Sequence, residues 1–248
     1  MNRLMRAEWY RYLHAGHFLS WTVFLCVCIS LLMVAMQYDL ATANLADVMM
    51  TCVDGSSFLI MLFPVFVAVI VGFGYNRKTA YYEVMAGNKI SHMIWSKVMV
   101  DALPIAIVAF IFFNILPVVA YVRNGTGEVE HILARFALFF VIVLHICICA
   151  VLMATAIRHA VAAVVVYMRY SMVEVLGLFI LSMIISGQAN VPEWYQFIQH
   201  WFLLNQTATV WVGELTVDFI IGVFGSMILE IVLLYVVSYI GMKKKIYA

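Results

Sequence analysis

Six apolar runs constrain this chain more than any other feature, because each is long enough to cross a lipid bilayer. They fall at about 18–37, 55–74, 93–121, 132–157, 160–186 and 219–242. About 20 apolar residues in a helix span the hydrocarbon core. Inside that core every backbone N–H and C=O has to be paired within the chain, so open runs of this length become helices. The expected fold class is an all-α membrane protein, a bundle of six transmembrane helices forming one domain over residues 1–248. No internal repeat and no linker divides it. Composition agrees: 66% of residues are hydrophobic and 11% are charged, where a soluble domain carries about 25% charged residues. Ahead of the first run, residues 3–17 read as an amphipathic interfacial helix. Met5, Trp9, Tyr12 and Leu13 share one face and Arg3 and Arg11 lie opposite. Such a helix suits the headgroup layer; the plainer reading is a positively charged flank that only fixes topology.

Positive charge orients the bundle. With the N-terminus inside, the cytoplasmic side holds Arg3, Arg6, Arg11, Arg77, Lys78, Lys89, Lys97, Arg158, Lys243, Lys244 and Lys245, and the outside holds only Arg123 and Arg135. That asymmetry predicts cytoplasmic N- and C-termini. The net charge of +1 gives no reason to expect a nucleic-acid partner. Membrane lipid is the expected surrounding.

The longest basic interruption lies between the second and third runs, YNRKTAYYEVMAGNKISHMIWSK, Tyr75 to Lys97. A short helix around Thr79–Met85 would present Tyr81, Tyr82 and Met85 as apolar anchors for a helix-in-groove contact. The simpler reading is a basic loop that only sets topology. A second cytoplasmic connection, Arg158-His159, is very tight. On the outer side, residues 187–218 are too long for a hairpin and too aromatic for a solvated loop. Trp194, Tyr195, Trp201 and Trp211 are residues that membrane interfaces select. One or two short helices at, or dipping into, the outer leaflet are expected there, serving as an outer gate or as an aromatic anchor.

Several ionisable residues fall within the runs. Asp101 follows Lys97 by one helical turn, which predicts an i,i+4 pair near the cytoplasmic surface. Arg169, Glu174 and Glu230 lie deeper. A charge at the bilayer centre costs about 2.5–3.5 kcal/mol on insertion scales, so these groups should face the bundle interior. A pair between Arg169 and Glu230 is one solution, either as a structural lock or as part of a transport path.

Motifs for chemistry are missing. The chain has no GxxxxGKS/T phosphate loop, no HExxH and no GxSxG, so no catalytic residue, metal or cofactor is expected in it. His145, Cys147 and Cys149 form an HxCxC series. A spacing of two places neighbours about 200° apart on a helix, so these three cannot converge on one ion from one helix. Buried cysteines usually act as small hydrophobes.

The arrangement as a whole resembles the permease subunits of type-2 ABC exporters, including small subunits for antimicrobial-peptide export or lantibiotic self-protection. Within the loop, Glu83, Gly87, Ser91-His92 and Lys97 look like that family's acidic residue, Gly, Ser-Arg and Lys series leading into the third span, with His92 in place of Arg. The resemblance implies a bacterial cell-membrane protein. It implies that the loop, with Arg77, Lys78, Tyr81, Tyr82, Glu83, Met85, Gly87, Ser91, His92 and Lys97, docks on an ABC ATPase. Arg158 and His159 would form a smaller second contact. It further implies two ATPase copies that supply ATP and Mg, a second permease subunit (identical or related), and a hydrophobic or amphipathic cargo. An ion-coupled carrier using Arg169, Glu174 and Glu230 and a membrane subunit that moves nothing are the alternatives.

Overall fold

The computed structural model describes residues 4–7, 9, 10, 43–53, 64, 67, 71, 87–127, 129–157, 160–185 and 192–247. Within 160–171 and at 112 and 245–247, only the backbone is described. The described residues are almost entirely helical, with no strand among them. After the helical residues 45–53 the elements are α1 (Ile90–Lys97), a π-helical turn (Val98–Ala102), α2 (Leu103–Asn124), α3 (Ile132–Ile157), α4 (Ala160–Ile185), α5 (Glu193–Gln199), α6 (Leu203–Val212) and α7 (Val217–Tyr247). Among the described residues three stretches are long and apolar enough to cross a membrane: Ile90–Asn124, Ile132–Ile157 and Val217–Lys244. In α4, Met172–Ile185 forms a shorter apolar helix. Most of the expected interfacial helix, the first span, most of the second span and the loop up to Ala86 lie outside the described residues.

Helix α3 is the axis of the molecule. Its sequence, ILARFALFFVIVLHICICAVLMATAI, contains no Gly or Pro and is apolar on every side, the pattern of a helix surrounded by protein. Its most apolar window is 67% buried, against 17% for α7. The central helix therefore touches α1, α2, α4, α6 and α7, while α7 keeps one face outward. Around α3, Phe110, Phe139, Phe113 and Trp211 pack as a ring cluster, Phe139 and Trp211 at a centroid distance of 4.5 Å.

Close approach, more than apolar burial, joins helices when lipid is the alternative. At Gly241 of α7 a Cβ would stand 2.7 Å from the Ala156 carbonyl of α3. One turn earlier Ser238 Oγ donates to Leu152 O at 2.7 Å. A small residue and a hydroxyl thus let α7 seat directly on the α3 backbone.

One end of the bundle is closed by short-range devices. Helix α2 stops at Gly125, which has φ +83 and donates its N–H to Tyr121 O at 3.1 Å. Asn124 Nδ2 then donates to Ala43 O at 2.7 Å, and Leu45 N–H to Gly125 O at 3.2 Å. Asn44 and Asp47 form a reciprocal cap, with Asp47 N–H donating to Asn44 Oδ1 and Asn44 N–H to Asp47 Oδ2. That satisfies free donors at the start of a helix. The capped helix buries Leu45, Val48, Met49 and Cys52, an i, i+3, i+4, i+7 face. That apolar stripe makes this acidic segment part of the core. Burial pushes the Cys52 thiol up to about 12, which leaves it a small hydrophobe.

Candidate functional site

Among the described residues, three features gather polar side chains of the bundle. The first is the junction of α1 with the rest. The chain turns at Gly87, with φ +81, and α1 starts at Ile90, so Ser91 and His92 belong to a helix and not to a loop. Helix α1 buries Met93, Ile94, Ser96 and Lys97 against α3 and α7. Trp95 stacks on Tyr235 of α7 with ring centroids 5.6 Å apart. The π-helical turn that follows fits extra backbone into one turn. Asp101 lies within it. Lys97 and Asp101 are 2% and 5% exposed. Helix α1 begins three residues ahead of the expected span and is covered by α3 and α7, which encloses both residues.

The second feature is the segment before α7. It forms two short helices, α5 and α6, joined at His200–Phe202. The pair is fastened to the bundle from three sides. Glu174 of α4 accepts the N–H of Leu203, the first residue of α6, where free donors and the helix dipole favour an anion. Gln206 Nε2 donates to His200 O at 2.7 Å and to Ser226 Oγ of α7 at 2.9 Å. At the far end, Arg135 of α3 donates through Nη1 to Val210 O and through Nη2 to Gly213 O, each at 3.0 Å, and through Nε to Glu130 O at 2.8 Å. A guanidinium satisfies the last carbonyls of α6 and complements its dipole. Gly222 of α7 permits this docking, since a Cβ there would lie 2.6 Å from His200 O.

The four aromatics expected at the interface separate. Trp194 is 49% exposed. Tyr195 and Trp211 are buried, and Trp201 is half-buried. Trp211 packs on Phe136 and Phe139, so it is a core residue and not an interfacial anchor: α6 turns that face toward α3. Between α4 and the α5–α6 pair lies an open groove of about 440 Å³ lined by Val175, Phe179, Ser182, Tyr195, Asn205 and others.

The third feature is a polar cluster between α3 and α7. His145 and Cys149 are one turn apart on α3 and share a face, as i,i+4 residues do. Both are fully buried. Glu230 comes from α7: its Oε2 is 3.3 Å from His145 Nε2 and accepts from Cys149 Sγ at 3.8 Å. Neither ring nitrogen of His145 has a hydrogen-bond partner among the described residues. Cys147 points elsewhere, as its spacing requires, and is buried in the apolar core. Glu174 lies within electrostatic range of Glu230 and Cys149. The Arg169 side chain lies outside the described residues, so the Arg169–Glu230 pair does too. So do Arg77, Lys78, Tyr81, Tyr82, Glu83, Met85, Arg158 and His159.

Sequence reading did not join His145 and Cys149 to Glu230. The i,i+4 spacing was available as a signal, but the third member sits 81 residues further on. No family model matches the chain, and no curated protein matches it.

Proposed function

We propose that this chain is the membrane subunit of an ATP-driven exporter of the type-2 ABC permease kind. It would sit in a bacterial cell membrane with six spans, an N-terminal interfacial helix and both termini in the cytoplasm. It is no enzyme; a separate ATPase subunit, in two copies, hydrolyses ATP. A second permease subunit, identical or related, completes the path. The cargo is a hydrophobic or amphipathic molecule, such as a peptide or a lipid-like drug.

One observation carries most of this reading. Helix α1 starts directly after the Gly87 turn and is keyed into both α3 and α7. A load applied to the loop before Gly87 would reach the centre of the bundle through a packed helix. That is what a chain without its own nucleotide site requires of a transmission contact. The Glu83, Gly87, Ser91-His92, Lys97 series and the six-run layout support the same assignment. So does the outward apolar face of α4 and α7, where Leu176, Phe179, Ile180, Ile228, Val232 and Val236 are exposed and suited to lipid or a second subunit. On this reading Arg158 and His159 make the smaller cytoplasmic contact, and Trp194 lies at the outer surface.

The test is affinity purification through a tag on this chain, with identification of the bound ATPase. Glu83→Lys combined with Tyr82→Ala is expected to abolish ATPase binding while the membrane subunit still inserts. Undiminished complex formation in the double variant would count against the docking site.

A second reading rests on the clustering of His145, Glu174 and Glu230. Buried ionisable groups in a membrane bundle are one way to build an ion-coupled carrier. Uptake driven by a pH gradient in liposomes holding this chain alone would favour it over the exporter.

A further inference from the structure

We propose that His145, Cys149 and Glu230 form a binding site for one borderline-soft divalent cation of the zinc type, bridging α3 and α7. This assignment does not rest on the exporter reading.

Geometry is the first argument. Among the described residues these three offer a nitrogen, a sulfur and a carboxylate oxygen within 4.8 Å of one another. For metal bonds of about 2.0–2.2 Å to nitrogen and oxygen and about 2.3 Å to sulfur, tetrahedral angles put donors about 3.4 Å (N to O) and about 3.6 Å (O to S) apart. The distances found are 3.3 Å from His145 Nε2 to Glu230 Oε2 and 3.8 Å from Cys149 Sγ to Glu230 Oε2. Two of the three donor pairs are therefore already spaced as ligands, and the third, nitrogen to sulfur, lies within 4.8 Å, so side-chain adjustments complete the fit.

Charge is the second argument. A neutral imidazole, a thiolate and a carboxylate sum to two negative charges, so a divalent ion gives a neutral cluster. Neutrality matters where an uncompensated charge is costly. A monovalent soft ion would leave a net negative charge in the same place.

The third argument is the histidine itself. Buried polar atoms are nearly always hydrogen-bonded, yet no hydrogen bond reaches the fully buried His145 ring among the described residues, and Nε2 has only the Glu230 carboxylate oxygen at 3.3 Å. Coordination would use its lone pair. The thiol proton now shared with Glu230 would leave to solvent as the thiolate binds, and no electron transfer is involved. Three protein ligands leave a fourth position open, which a water can fill.

The experiment uses the full chain in detergent, stripped with a chelator and titrated with Co(II), then with Zn(II) as competitor. The expected result is one Co(II) per chain, visible bands of tetrahedral intensity, a thiolate-to-cobalt charge-transfer band, and displacement by Zn(II). Cys149→Ser should remove the charge-transfer band, Cys147→Ser should keep it, and Glu230→Gln should weaken binding at least tenfold. Failure to bind Co(II) stoichiometrically, a charge-transfer band that survives Cys149→Ser, or full affinity in Glu230→Gln overturns the proposal. If the variants do not fold, X-ray absorption on the zinc-loaded native protein decides. One sulfur at about 2.3 Å with nitrogen and oxygen at about 2.0–2.2 Å is expected, and a shell without sulfur refutes the site.

Discussion

Arg135 offers the sharpest test of how the α5–α6 pair is held. Its guanidinium donates three hydrogen bonds to carbonyls, at Glu130, Val210 and Gly213, and the residue is 8% exposed. A hydrogen bond involving a charged group contributes about 1.5–3 kcal/mol. Three of them do not add fully, because water at this end of the bundle replaces part of what is lost. Arg135→Leu should therefore cost about 3–4 kcal/mol, below the simple sum of about 4.5–9 kcal/mol. For a chain of this size each kcal/mol moves the midpoint by about 2–4 °C, so a fall of about 10 °C is expected. Arg135→Lys keeps the charge but not the fork that reaches two carbonyls on α6 at once, and should recover less than half of the loss. The assay is thermal unfolding of purified protein in detergent, read by Trp fluorescence, since Trp211 lies at the end that Arg135 fastens. Midpoints for both variants within about 2 °C of the native protein would refute the reasoning.

Further outcomes follow from neighbouring contacts. Gly241→Leu drives a side chain into the Ala156 carbonyl, 2.7 Å from the ideal Cβ. It should lower stability by about 1–3 kcal/mol, measured in the same unfolding assay. Gln206→Leu strands the His200 carbonyl and breaks the bond to the Ser226 hydroxyl. It should cost about 1–3 kcal/mol and raise proteolysis between Trp201 and Leu203. Burial holds the His200 imidazole below its usual 6.5, against an opposing pull from Asp218. The unfolded chain then takes up a proton first as pH falls, so His200's contribution is complete above pH 6.5 and declines below it. His200→Gln should flatten that decline in midpoints recorded from neutral to mildly acid pH, and an unchanged slope would exclude it.

Helix content was legible because apolar runs of this length leave a membrane chain no other choice. The run at 132–157, all apolar around its circumference, is occupied by α3, and the one at 160–186 by α4. What escaped reading was tertiary. Arg135 looked like one of two stray positive charges on the outer side; it is a clamp on α6, some 75 residues away. Trp211 carries the composition of an interface residue but sits where α6 meets α3. Leu45, Val48, Met49 and Cys52 were hidden among acidic neighbours, since a nine-residue stripe is weak beside runs of 20. His145 and Cys149 were set aside with Cys147 because HxCxC cannot close on one helix. That geometry is correct for the triplet and silent about a carboxylate on another helix. The Lys97–Asp101 spacing was visible, whereas its burial depends on what covers α1.

The most direct test of the exporter account is the native mass of the complex purified through this chain. The account predicts membrane and ATPase subunits in equal number, two and two, and loss of the ATPase from the Tyr82→Ala, Glu83→Lys variant. A native complex that contains only membrane subunits and sustains flux on an ion gradient would contradict it.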